Sequence, residues 1–284
     1  MKKNRGNSMT TLFLILMLFE GLSLLLYPTV SNYWNSLHQS RAIAAYVEQV
    51  AQTDNETFDQ LRGQARAYNR TLVGKAYRYD MTRQEREEYL GLLNVSENGI
   101  IGYIEIPDIH CELPIYHGTD ADALQIGVGH IEGSSLPVGG ESTHCAISGH
   151  RGLPSAKLFS DLDKLTVGDR FILRVLDDTL TYEVDQIHTV LPGEMDELEI
   201  VEGEDYCTLV TCTPYGVNTH RLLVRGHRVE NSTDKEPARV TADETRTEPL
   251  GKISILLPVL VFAILLMLLL IFLLSKRKKR QDKI

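Results

Sequence analysis

A thiol at Cys212 and a guanidinium at Arg221 stand nine residues apart across a short turn. The thiol closes the apolar run Thr208-Leu209-Val210-Thr211-Cys212. Pro214 and Gly216 mark the turn, and Arg221 opens the next apolar run, Leu222-Leu223-Val224. Two strands joined this way bring the charge back beside the sulfur. A cysteine nucleophile needs a nearby positive charge and a donor for a developing oxyanion, and this hairpin offers both. Proton transfer needs a third group. His150, in Ile147-Ser148-Gly149-His150-Arg151-Gly152, lies 62 residues upstream at a strand end followed by a Gly-rich turn. With nine histidines in the chain, His117, His130 and His220 compete for that role on spacing alone. The bland alternative is also open: a small buried cysteine, a surface arginine and a turn histidine.

The elements that must position these groups read as short strands. Residues 100–106, 144–148, 170–175, 180–184, 207–211 and 221–225 are apolar or alternating runs punctuated by Gly, Pro and Asp. That pattern predicts a mainly β body, most simply a closed barrel of about eight strands. The stretch before it differs. Residues 33–70 are polar, with apolar residues at Leu37, Ile43, Val47, Val50, Phe58 and Leu61 and no proline, which predicts one or two helices. Thr82-Arg83-Gln84-Glu85 is a capping box, so a short helix is expected to begin there and end near Leu92-Leu93.

The ends of the chain read as membrane segments. Residues 11–30 are mostly apolar and follow Lys2, Lys3 and Arg5. Residues 253–274 are an uncharged apolar stretch, long enough to cross a bilayer, and Lys276-Arg277-Lys278-Lys279-Arg280 follow. Basic flanks stay on the cytoplasmic side, so both termini are expected inside and residues 31–250 outside. A cleaved signal peptide is the rival for the first segment, but Tyr27-Pro28-Thr29-Val30-Ser31 is a poor cleavage site. The expected organisation is a cytoplasmic tail (1–10), a signal-anchor (11–30), a helical stalk with a possible lid (31–95) and a catalytic barrel (96–230). A flexible linker (231–252), a second span (253–275) and a basic tail (276–284) complete it.

Charge and cysteine usage narrow the function further. The chain carries −9 overall, but residues 31–250 hold 19 Lys and Arg against 36 Asp and Glu, a net −17. An acidic external domain argues against nucleic acid as the partner. Cys207 and Cys212 are an odd number of residues apart in one strand, so they face opposite sides, and they lie ~16 Å apart at ~3.3 Å per residue. A disulfide needs Cα atoms within ~7 Å. Cys111 and Cys145 read as buried free thiols. No Cys-x-x-Cys or His-x-x-x-His spacing suggests a metal, and no cofactor motif is present.

Seven ordered runs, the Thr208–Cys212 signature and six others, give the chain a family likeness. Besides residues 208–212 and 213–221, they are Gly102-Tyr103-Ile104-Glu105-Ile106-Pro107, Leu113-Pro114-Ile115-Tyr116-His117-Gly118-Thr119 and Gly127-Val128-Gly129-His130. Ser135-Leu136-Pro137-Val138-Gly139-Gly140 and Gly149-His150-Arg151-Gly152-Leu153-Pro154 complete the set. Over roughly residues 65–230 the chain resembles the class C sortases, the pilin polymerases of Gram-positive bacteria.

The resemblance implies that Cys212 is the nucleophile, His150 the acid/base and Arg221 the stabiliser of oxyanion or substrate. It also implies a Leu-Pro-x-Thr-Gly-like sorting signal as substrate and a pilin Lys amine as acceptor. Thr211, Leu136, Tyr215 and His130 are candidate substrate contacts. Cell-wall anchoring to a peptidoglycan-precursor amine, a secreted cysteine peptidase and a membrane-tethered non-catalytic peptide-binding barrel are the competing functions.

One departure stands out. Many class C sortases carry an Asp-Pro-aromatic lid, and this chain has no Asp-Pro dipeptide. Residues 76–82 read Ala-Tyr-Arg-Tyr-Asp-Met-Thr, so Asp80 could take the lid position, with Tyr77 or Tyr79 as its ring. Lacking proline's fixed φ, such a lid is expected to be loosely held.

Overall fold

The computed structural model describes residues 6–95 and 98–231. The chain divides into two compact units, whose described parts are residues 6–34 and 35–231.

The first unit is the beginning of a helix, α1, that runs Gly6–Gln52 with Pro28 inside it. From Phe13 on, this helix is long and apolar enough to cross a membrane. Leu24 and Leu25 are more than two-thirds exposed, as expected of side chains that face lipid rather than a protein core. The sequence suggested a span ending at residue 30 and a helical stalk over 31–95; α1 runs unbroken from the first into the start of the second, and two further helices follow within 31–95. The expected second span, 253–275, lies outside the described residues, as does nearly all of the linker before it.

In the second unit, α1 ends and α2 (Asn55–Leu72) follows, capped by Asp54, which accepts from the Thr57 amide. Then comes α3 (Arg83–Leu90), with the capping box formed as the sequence predicts: Glu85 N–H to the Thr82 side chain, and Thr82 N–H to Glu85. Tyr46 of α1 is buried, donates to the Ile101 carbonyl at 3.2 Å and accepts from Leu176 N–H at 2.8 Å. On α2, Asn69 pairs both ways with the Leu136 backbone, at 3.0 and 2.7 Å. The helices are thus fastened to the barrel by buried polar groups as well as by Phe58, Ala65 and Tyr89 in the core.

The strands are β1 (Ile100–Ile106), β2 (Cys111–His117), β3 (Val128–His130), β4 (Thr143–Ser148), β5 (Arg170–Val175), β6 (Asp178–Val190), β7 (Asp205–Thr213) and β8 (His220–Val229). A short helix, α4 (Ala121–Ile126), sits between β2 and β3. The sheet closes in the order β1-β2-β3-β4-β7-β8-β6-β5, with β2–β3 and β4–β7 parallel and the rest antiparallel. This is the eight-strand barrel expected, now shown to be mixed. Alternation sorts each strand. Cys145 and Ile147, Cys207 and Leu209, Leu222 and Val224, and Phe171, Leu173, Tyr182 and Val184 all point into one core. The opposite face of β4, β7 and β8 therefore carries Ser148, Val210, Cys212 and Arg221.

Candidate active site

Strand register assembles the site. In the antiparallel β7–β8 pair, Cys212 and Arg221 are direct partners. Directly opposed residues share a face, with Cβ atoms ~4.5–5.5 Å apart. Strand β4 runs parallel to β7 on the other side, with Ser148 opposite Val210. One step further the strands still touch: Gly149 N–H donates to the Val210 carbonyl at 3.0 Å, and the Thr211 hydroxyl donates to the Gly149 carbonyl at 2.7 Å. The next residues along are His150 and Cys212. Alternation puts Cys212 on the face of Val210, and His150 lies two residues past the end of β4. Cys212 and Arg221 thus share one end of the outer face of β7 and β8, with His150 just past the adjoining end of β4, and each of the three is partly exposed.

Local chemistry fixes each group. A Cβ on Gly149 would lie 2.6 Å from the Phe159 ring and 2.9 Å from Val128, so only glycine lets β4 close against the core here. The His150 carbonyl accepts from Phe159 N–H at 3.1 Å, which holds the backbone behind the imidazole. Burial pushes the His150 ring below its ordinary value and so favours the neutral imidazole. Arg221 donates only to backbone, to His220 at 3.2 Å and Asn218 at 3.4 Å. Among the described residues it makes no ion pair, so much of its fork remains open to a substrate carbonyl.

The other candidates scatter. Thr211 is buried and holds β7 to the His150 segment rather than facing outward. Tyr215 is exposed in the β7–β8 turn and packs against Gly152. Leu136 is a core residue pinned by Asn69. His130 is fully buried, accepts from the Tyr89 hydroxyl at 2.8 Å and donates to the Ser135 carbonyl at 2.9 Å. It faces the core beside Cys145. His117 is buried against the Leu92 carbonyl, at 2.6 Å. His220 pairs with Thr213 in register, one position off the Cys212–Arg221 pair and so on the other face.

Cys145 and Cys207 are buried register partners inside the barrel; Cys111 and Cys212 are partly exposed. All four are free thiols. Among the described residues, no group of three or more His, Cys, Asp or Glu is arranged to hold a metal.

The segment of residues 74–81 is fastened in a way the sequence does not suggest. Asp80 and Tyr77 are exposed, and the Asp80 carboxylate has no partner among the described residues. Arg78 does the holding. It is buried, donates to the Leu198 carbonyl at 2.7 Å and to the Tyr79 hydroxyl at 3.0 Å, and lies 3.6 Å from Glu199. The cleft beneath this segment, about 360 Å³, is lined by Leu72, Tyr77, Tyr79, Glu199 and Ile200 among others.

Residues 104–229 match the family described as "Sortase domain". The fold is similar to the crystal structure of sortase C1 from Streptococcus agalactiae: 54% identity, a TM-score of 0.65, and coverage of 67% of this chain and 99% of that one. It is also similar to Clostridium perfringens sortase C, solved with the C-terminal cell wall sorting motif: 46% identity, a TM-score of 0.60, and coverage of 67% and 99%. Sortase D of Bacillus subtilis (strain 168) is 34% identical over 131 residues, which span 45% of this chain and 63% of that relative.

Proposed function

The chain belongs to the sortases, cysteine transpeptidases, and specifically to class C, and from that premise we propose that it polymerises pilins at the outer face of a cell membrane. The observation that carries the assignment of roles is the register pairing of Cys212 with Arg221, with His150 one residue past the last bond between β4 and β7.

In the reaction proposed, the Cys212 thiol passes its proton to the neutral His150 imidazole, and Sγ attacks the Thr carbonyl carbon of a Leu-Pro-x-Thr-Gly-like signal. Charge develops on the carbonyl oxygen, and the Arg221 guanidinium supplies charged donors there. The C–N bond to Gly breaks, and protonated His150 gives its proton to the departing amine. The thioester is then attacked by a Lys side-chain amine of the next pilin. The neutral imidazole takes that amine's proton, the C–S bond breaks, and an isopeptide bond remains. His150 must therefore cycle between both protonation states, and the downward push on its pKa keeps the base form available.

The exposed apolar start of α1 supports membrane anchoring. The topology proposed has both termini inside, the second span being residues 253–275. Protease added to intact protoplasts is expected to release residues 31–250 and spare the Lys276–Arg280 tail.

Co-expression with a pilin, followed by denaturing electrophoresis, tests the function. A high-mass ladder that disappears in Cys212→Ala is the expected result. Attachment of single pilins to cell-wall precursor, with no ladder, would move the reading to anchoring. Binding of the signal peptide without any cleavage would move it to a non-catalytic barrel.

A further inference from the structure

Arg151 carries none of the roles above, yet it is built in with unusual care. Its side chain is only 9% exposed. One terminal nitrogen bonds the Asp163 carboxylate; the other donates to the Thr213 hydroxyl at 3.2 Å. Its guanidinium carbon lies 5.9 Å from the centre of the Tyr215 ring. The same ring contacts Gly152, where a Cβ would sit 3.1 Å from it. Gly152 N–H is in turn held by the Ser160 hydroxyl at 3.1 Å. Nε is buried with no hydrogen-bond partner among the described residues.

The partners matter because of what stands next to them. Arg151 follows His150, and Thr213 follows Cys212. Up to Gly149 and Thr211, hydrogen bonds between the two strands fix their alignment. At His150 and Cys212 that ladder has ended. The next tie between the two segments is Arg151 to Thr213. The Asp163 side of the pair is 45% exposed, and an ion pair open to solvent contributes little stability, so registry is the better account of so well-held an arginine. Imidazole and thiol must come within hydrogen-bond reach to exchange a proton.

We infer that Arg151, resting on the Cys212–His150 assignment above, is a positioning residue that holds the His150 and Cys212 segments in the register needed for proton transfer, acting through Thr213. It touches neither the thiol nor the peptide's reacting carbonyl in this role. Asp163 orients the guanidinium and balances its charge. Lysine cannot replace it, since one ammonium lacks the planar fork that serves Asp163 and Thr213 at once.

The test uses the full chain in membranes with an internally quenched Leu-Pro-Glu-Thr-Gly peptide. Arg151→Lys and Thr213→Val are each expected to lower kcat about 10²-fold, as an ångström-scale misplacement does, with KM little changed. The double variant is expected to be no worse than the poorer single, because both cut one link. The pH dependence of Cys212 alkylation is expected to shift in both, since a displaced imidazole no longer influences the thiol. A purely structural role would change thermal unfolding without moving that profile.

Wild-type kcat and an unmoved alkylation profile in Thr213→Val would overturn the proposal, even if Arg151→Lys failed to fold. Additive losses in the double variant would also overturn it. Full activity in Cys212→Ala is a different outcome: it would remove the site assignment itself, whatever the Arg151 variants did.

Discussion

Asp80→Ala asks whether an acidic plug closes this site. A plug would need the Asp80 carboxylate paired with Arg221. Instead Asp80 is exposed without a side-chain partner, and Arg221 donates only to the His220 and Asn218 carbonyls. Exposed groups without contacts usually change stability by no more than about 0.5 kcal/mol. At that size the opening equilibrium shifts about twofold, whereas a working plug released by the mutation would change it at least tenfold, about 1.4 kcal/mol. The assay is the rate of Cys212 modification by a small thiol reagent, followed by peptide mass mapping to separate it from Cys111. Asp80→Ala is expected to react within about twofold of wild type. Acceleration of tenfold or more would refute the reasoning and restore Asp80 as a latch. Arg78→Met is the contrasting perturbation. Losing a charge-assisted bond to the Leu198 carbonyl costs about 1.5–3 kcal/mol, so hydrogen exchange across residues 74–81 is expected to quicken about 10- to 100-fold.

Three further outcomes are expected. Burial, opposed in part by hydrogen bonds to backbone carbonyls, lowers His117 and His144 to about 4, so the unfolded chain takes up these protons first as pH falls. Their stabilising effect is full above about pH 6.5 and is lost towards pH 4, up to about 3 kcal/mol for each, which urea midpoints at pH 7.5 and 5 will read. Tyr46→Phe leaves the Leu176 N–H and the Ile101 carbonyl without their partner, at a cost of about 1–3 kcal/mol, visible as a lower Tm with the active site untouched. Arg221→Lys keeps the charge but not the fork and is expected to lower turnover about 10²–10³-fold; near-normal turnover would make Arg221 a bulk charge only.

The parts of the fold that could be read in the sequence are those where one local signal coincides with the tertiary outcome. The capping box at Thr82 and Glu85 worked because all its atoms lie within one turn. Alternation in β5 worked because one of its faces packs the core. Strand β2 was seen only as a family run, since Pro114 weakens it as a strand by pattern, and the three-residue β3 is too short to show a period. The anchor reads as ending at residue 30, where apolar character fades, yet α1 continues to Gln52. His130, Leu136 and Thr211 carry residue types that suit a site, but their burial is set by partners such as Tyr89, Asn69 and Gly149 far along the chain.

The site itself divides the same way. Cys212 and Arg221 are legible because a hairpin puts both in one stretch of ten residues, and hairpin pairing is a local property. His150 lies beyond a parallel pairing across 62 residues, which no local pattern encodes; its place at a strand end before a Gly-rich turn suggested it, and only the ordered family runs set it above His117, His130 and His220. Arg78 and Arg151 were invisible for a deeper reason. In sequence each is an arginine among polar neighbours, the commonest appearance of a solvated charge. Each is in fact buried, with its fork spent on a backbone carbonyl or a hydroxyl of another loop. The groups proposed for catalysis sit where the strand ladder stops, so something beyond the ladder must hold them, and a long planar cation reaching across loops is suited to that. Such groups leave no periodic trace, which is why the residues that do the chemistry can be read earlier than the residues that keep them aligned.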